Sequence, residues 1–294
     1  MKPAPLLAGI DFSAASPAVL RHAAHFAALN GATVVAAHVI DASRLDHRAS
    51  GGRANPPDDV LAAAARQKLE HLATTEAAGQ PVRLEVRIGK PADELQHLAA
   101  SSGAGLLVIA ANDLTKSRLG SVASRCVRSA PCDVLVLRDW QEGNFARIAL
   151  CTDFSAVSER ALERAVSLAA DHAAVLDIVH VIYPPSRDVW GEVLEHGMDS
   201  PQSYEEECRA EIDRRMDHFL APQAERLAAV RHQRTLLESV SPSMALTHHV
   251  RDSGADLVVL GTRRMSTVAG WLVGTNAERL LHDAPVSVLA VRSA

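Results

Sequence analysis

The chain is one domain written twice. The stretch LAGIDFSAASPAVLRHAAHFAALNGATVVAAHVID is echoed by LCTDFSAVSERALERAVSLAADHAAVLDIVHVIY, which places Asp11 on Asp153, Phe12 on Phe154, Ser13 on Ser155 and His38 on His180. Further along, GKPADELQHLAASSGAG aligns with VSPSMALTHHVRDSGAD, and GSVASRCVRSAPCDVLVLR with GTNAERLLHDAPVSVLAVR, bringing Gly120 onto Gly274 and Pro131 onto Pro285. The spacing grows between the first two matches, so the second copy carries an insertion. Self-similarity on this scale fixes the architecture before any single element does, because whatever fold one copy takes the other must take too. At 294 residues the chain fits two domains of roughly 150 residues each. We place them at 1–139 and 146–294, joined by the short linker DWQEGNFA.

Within the first copy, apolar and helical patterns alternate. LLAGI is a short apolar run of the kind a strand buried on both faces needs. Ser16 is a candidate N-cap with Pro17 at the first helical position; Val19, Ala23, Phe26 and Ala27 share one helical face, and Asn30-Gly31 supplies the stop. TVVAAHVI is a second buried strand, 46–59 a loop, and 60–78 a helix. VRLEVRI alternates strictly between apolar and charged residues, which marks a strand with one wet face at the sheet's edge. A helix over 91–102 ends at Gly103, and LLVIA and VLVLR complete the set. Strands alternating with helices specify a parallel sheet covered on both faces. In the second copy, 184–203 is a longer connection and 204–220 a charged, solvated helix.

Composition narrows the function. A net charge of −5, with the acidic excess in the second half, and only 3% aromatic residues exclude a phosphate-backbone binder or a stacking platform for single strands. No apolar run is long enough to span a membrane, and the start reaches Asp11 too soon for a secretory signal. Cys126, Cys132, Cys151 and Cys208 lack metal or disulfide spacing, so we expect reduced thiols in the cytoplasm. The fourteen histidines form no recognised ligand spacing, and no metal site is expected.

The order strand, Asp-Phe-Ser, helix, His-Val, late glycine loop and closing APxxVLxxR resembles the universal stress protein family over nearly the whole chain. The resemblance implies an α/β fold of two tandem Rossmann-like domains related to the adenine-nucleotide α-hydrolases. Each would be a five-stranded parallel sheet of order 3-2-1-4-5 flanked by helices, and the two would pack as an internal pseudo-dimer, with a further homodimer left open. Some members bind ATP through Gly-x-x-Gly, nine residues, then Gly-Ser/Thr. The second copy has Gly261, Thr262, then Arg264 where the second glycine belongs, nine residues, and Gly274-Thr275-Asn276. In the first copy Ala110 and Asp113 stand at the glycine positions and only Gly120-Ser121 survives.

Glycine lets the main chain approach a polyphosphate and present its N–H groups, with a helix N-terminus adding a favourable partial charge. Arg264 would pair with a phosphate or fill its space; Asp113 would repel it. The resemblance assigns base or ribose contact to Asp153 with Phe154 and Ser155, and adenine-directed main-chain bonds to Val181, with Asp11, Ser13 and Val39 as the first-copy counterparts. The alternative for Asp-Phe-Ser is a local turn whose side chains bond nearby N–H groups. No nucleophile elbow, Walker loop or paired metal-holding carboxylates are present, so any ATP hydrolysis would be slow and incidental. The expectation is a stress-response binding and signalling module holding ATP or another adenine nucleotide in its second domain, with the need for magnesium left open and the protein partner unknown. The alternative is a relative without nucleotide, acting through protein contacts or another small ligand.

Overall fold

The computed structural model describes residues 3–43, 45, 57–111, 119–138, 144–183, 201–262 and 275–293. The first repeat runs β1 (Leu6–Ile10), α1 (Ser16–Asn30), β2 (Val34–Asp41), α2 (Asp58–Glu76), β3 (Val82–Gly89), α3 (Pro91–Ser102), β4 (Leu106–Ala110), α4 (Ser121–Ser129) and β5 (Asp133–Leu137). The second runs β6 (Arg147–Cys151), α5 (Ala156–His172), β7 (Val175–Ile182), α6 (Pro201–Leu220), a 3-10 turn (Ala221–Gln223), α7 (Ala224–Ala228), β8 (His232–Glu238), α8 (Pro242–Ser253), β9 (Leu257–Thr262), α9 (Thr275–Asp283) and β10 (Ser287–Arg292). Both are α/β domains with helices flanking a mainly parallel sheet. Most of the loop at 46–59 and most of the connection at 184–203 lie outside the described residues.

By contacts, residues 1–143 and 262–292 form one compact unit and 144–261 another. In the first unit β1 lies between β2 and β4, parallel to both, with Ile10 opposite His38 and Leu6 opposite Leu106. The order is β3-β2-β1-β4-β5-β10. β3 sits at the edge, and there Arg83 and Arg87 point outward. Leu7, Leu107, Leu135 and Leu137 are fully buried between the helical layers. A Cβ on Gly9 would meet Ile109 Cγ2 at 2.8 Å, so glycine here is what lets β1 pack closely.

β10 runs antiparallel to β5, with Leu289 opposite Leu135. The closing strand of the second repeat thus pairs with the closing strand of the first. Five hydrogen bonds fasten it and the helix before it. Ser287 Oγ accepts the Arg138 N–H at 3.1 Å and donates to the Arg138 carbonyl at 3.0 Å. Arg138 Nη2 donates to the carbonyls of Leu281 and His282 at the end of α9, where a cation favours the helix dipole. The Arg292 N–H donates to Asp133 Oδ1 at 3.0 Å. The second unit holds β9-β6-β7-β8, all parallel, with Cys151 opposite both Val179 and Leu260.

The ends of α1, α3 and α8 follow sequence punctuation: Gly31, Gly103 and Gly254 adopt the left-handed conformation at φ 62°, 64° and 69°. The start of α1 differs from expectation. Ser16 is the first helical residue and Ala15 the cap, because the Ser16 hydroxyl is drawn to Asp11 instead of to its own helix. Ala173, at the position related to Gly31, takes the same left-handed geometry at φ 54° despite its Cβ.

Candidate functional site

Both Asp-Phe-Ser turns stand at the carboxyl end of the central strand, the rim where open α/β sheets receive ligands. In the second repeat Asp153 is exposed and gathers three donors on Oδ1: the Ser155 N–H at 3.0 Å, the Ser155 hydroxyl, and the Ser158 hydroxyl at 2.7 Å. The first repeat builds the same turn, with Asp11 Oδ1 accepting from the Ser13 N–H at 2.9 Å and Ser16 Oγ at 3.1 Å. Ser16 and Ser158 are repeat-related, and each is 3% exposed. The repeat match of these two serines is present in the sequence, but their role depends on the carboxylate five residues earlier that each one bonds. The turn bonding is therefore present in both copies, alongside an acceptor-only group exposed on the rim, the kind a ribose hydroxyl or exocyclic amine suits.

Phe12 and Phe154 hold φ at 60°, a left-handed geometry that costs a non-glycine residue about 1–2 kcal/mol. Each ring is set against a histidine with centroids 4.3 Å apart: Phe12 on His38, Phe154 on His180. His38 Nδ1 lies 2.7 Å from the Ile10 carbonyl, and His180 Nδ1 lies 2.8 Å from the Thr152 carbonyl. A carbonyl only accepts, so the proton sits on Nδ1. Burial pushes both imidazoles below their ordinary pKa, outweighing the carbonyl bond and the nearby aspartate. These are neutral, structural histidines. A cation completes each stack: Lys68 Nζ lies 5.5 Å from the Phe12 centroid, and the Arg215 guanidinium lies 5.1 Å from that of Phe154.

Val39 is buried and Val181 half-buried, each just past the point where the central strand leaves the sheet. The β1 register ends at His38 and the β6 register at Val179. Gly261 lies against the first turn of α5, where an added Cβ would meet Val157 Cγ1 at 2.9 Å and the Val157 carbonyl carbon at 3.1 Å. Thr262 is 2% exposed and its hydroxyl donates to the Val291 carbonyl at 3.1 Å. Arg264 and Gly274 lie outside the described residues; Thr275 and Asn276 open α9. In the first repeat the Gly120 N–H donates to the Ala111 carbonyl at 2.7 Å, and Ser121 begins α4 as an exposed residue. Asp113 is outside the described residues.

For a nucleotide, the rim carboxylate and the Val39 and Val181 main chain beyond the last β1 and β6 pairs fit a sugar or base, although both valines still pair with β3 and β8 on their other side. Gly261 is accounted for by helix packing without any phosphate. Burial raises the thiols of Cys126, Cys132 and Cys151 to about 12, so none supplies a thiolate at neutral pH. Among the described residues no group of three or more His, Cys, Asp or Glu is placed to hold a metal ion. No helix of the described residues is long and apolar enough to cross a membrane.

A family model described as "Universal stress protein family" matches residues 4–138 and again 144–292. The chain belongs to the universal stress protein family. Each half of this tandem member is similar in length to a whole relative. A Thermus aquaticus universal stress protein, described by its position in the QAH/OAS sulfhydrylase 3' region, is 30% identical over 148 residues, 50% of this chain and 99% of that one. The YxiE universal stress protein of Bacillus subtilis is 26% identical over 50% of this chain and 99% of its own. Among solved structures, a universal stress protein from Archaeoglobus fulgidus covers all of both chains with a TM-score of 0.71 at 19% identity. A functionally unknown protein from Pseudomonas aeruginosa covers 98% of this chain and 92% of its own at 0.66 and 17%. At those identities the structural likeness speaks to fold.

Proposed function

We propose that this tandem universal stress protein is a cytoplasmic binding and signalling module whose second repeat takes ATP or another adenine nucleotide, and not a dedicated enzyme. The observation that carries the reading is the asymmetry between the copies. Three of the four marked positions, Gly261, Gly274 and Thr275, are present in the second, whereas Ala110 and Asp113 replace both leading glycines in the first. The exposed Asp153 and the Val181 main chain beyond the last β6 pair support it. The duplication, with the family model matching each half, supports reading the two repeats as each other's dimer partner.

The rival reading, a member that works without nucleotide, draws on the packing reason for Gly261 and on the three local donors that Asp153 already satisfies. Equilibrium binding of ATP to the full chain separates the two. The nucleotide reading expects saturable binding that Gly274→Val abolishes. Binding that is absent in the parent and appears only with Arg264→Gly identifies the arginine as a block and favours the rival.

A further inference from the structure

The Asp-Phe-Ser turns also wall a second pair of clefts, on the side where the Phe ring meets the helix that follows the second strand. The first measures about 480 Å³ and is lined by Phe12, Ser13, Gln67, Lys68, His71 and Leu72, with the buried Ser16 behind them. The second measures about 390 Å³ and is lined by Phe154, Glu159, Glu211, Arg214, Arg215 and Phe219, with His218 beside them. Both volumes fall in the range of small-molecule sites. Both share one frame, a left-handed phenylalanine between a neutral histidine and a cation. Strained backbone kept in both copies points to a use for the ring it aims.

What lines the frames differs, and the difference is one of charge. The second cleft neutralises itself: Arg214 donates twice to Glu211, at 2.7 and 3.1 Å, Glu159 adds another carboxylate, and Phe219 packs edge-on against Phe154 at 5.5 Å. None of the described residues lining the first cleft is acidic. Its one donor-only group is the Lys68 ammonium; the Gln67 amide, the Ser13 hydroxyl, which accepts the Ala15 N–H at 3.3 Å, and the His71 ring can each donate as well as accept. Asp11, at the start of the turn, has Oδ1 taken up by the Ser13 N–H and the Ser16 hydroxyl. Phe12 and Leu72 supply the apolar wall.

We infer that the first cleft binds a small aromatic anion, its ring lying against Phe12 and Leu72 and its carboxylate or phosphate meeting Lys68. An ammonium held over an aromatic face is attracted to an anion without leaving the ring, and because Lys68 is exposed that attraction is strongest at low salt. This site is separate from the second-repeat nucleotide reading and neither depends on the other.

Ligand-observed NMR titration of the full chain tests it, with 1-naphthoate and phenyl phosphate as anions and 1-naphthamide as the neutral isostere of the first. The expected result is saturable binding of at least one anion, about tenfold weaker binding of the amide, and a loss of about tenfold in Lys68→Glu at low salt that is absent in Lys68→Arg and in Arg215→Glu. Whichever anion binds more tightly identifies the headgroup. Equal binding of naphthoate and its amide, an equal loss in Arg215→Glu, or no saturation by either anion overturns the inference. Lys68 is exposed, so the variants leave the core untouched. Because ATP binding is read on the same samples, loss of one activity with retention of the other tells the two proposals apart.

Discussion

Replacing Gly261 by alanine sets a methyl carbon 2.9 Å from Val157 Cγ1, 3.1 Å from Cγ2 and 3.1 Å from the Val157 carbonyl carbon. Rotating the valine cannot relieve all three contacts. A β-branched side chain in a helix has one strongly preferred χ1, and the carbonyl carbon belongs to the first turn of α5, so relief needs a shift of the helix itself. Overpacking of this kind costs about 1–3 kcal/mol. Val157→Ala alone costs about 1–2 kcal/mol for the apolar surface it stops burying. In the double variant the two changes offset one another, so its loss falls below the sum of the singles by about 1 kcal/mol or more. The first repeat carries that solution, with Ala110 and Ala15 at the two related positions. Urea midpoints for the four proteins, with amide exchange at β9 to localise the effect in a two-unit chain, measure it. A Gly261→Ala variant as stable as the parent, or singles and double that simply add, would refute the packing account and return Gly261 to the phosphate loop as its sole explanation.

Acid should weaken the fold through His22, which is 8% exposed and whose pKa is lowered from 6.5 to about 4, first by burial and then by His25 and Arg21. Because the unfolded chain takes the proton first, this contribution is complete above pH 6.5 and is lost as pH falls toward 4; it amounts to about 3 kcal/mol, and urea midpoints of His22→Gln should decline less over that window than those of the parent. His249→Leu removes one of two donors to the fully buried Asp177 carboxylate, bonded at 2.8 Å, and should cost about 1.5–3 kcal/mol by chemical denaturation, a loss that Asp177→Val in the same chain largely restores.

The last of these pairs shows where sequence reading stops. Periodicity and punctuation report on one residue and its chain neighbours, and they were enough for the duplication, the strands, the edge position of Arg83 and Arg87, and the glycine stops at 31 and 103. They miss whatever is decided by two residues meeting across the fold. Asp177, bonded to both Thr235 and His249, stands where the first repeat has Val35, and His249 stands where it has Leu98, each buried to 3% exposure. A polar pair in one copy is an apolar pair in the other, and neither member is intelligible alone. Gly261 with Val157 against Ala110 with Ala15 repeats the lesson in volume instead of polarity. It also shows why a glycine can match a family's phosphate pattern and still have a packing cause. The left-handed Phe12 and Phe154 were hidden for the same reason: only a histidine on the next strand and a cation on the following helix make that backbone worth its strain. Since both frames survived while their surroundings diverged, one lining carrying an uncompensated ammonium and the other balancing its own charges, the constraint belongs to the frame and the ligand preference to its lining. A charge reversal at Lys68 should therefore alter what the first cleft binds without altering how the turn folds.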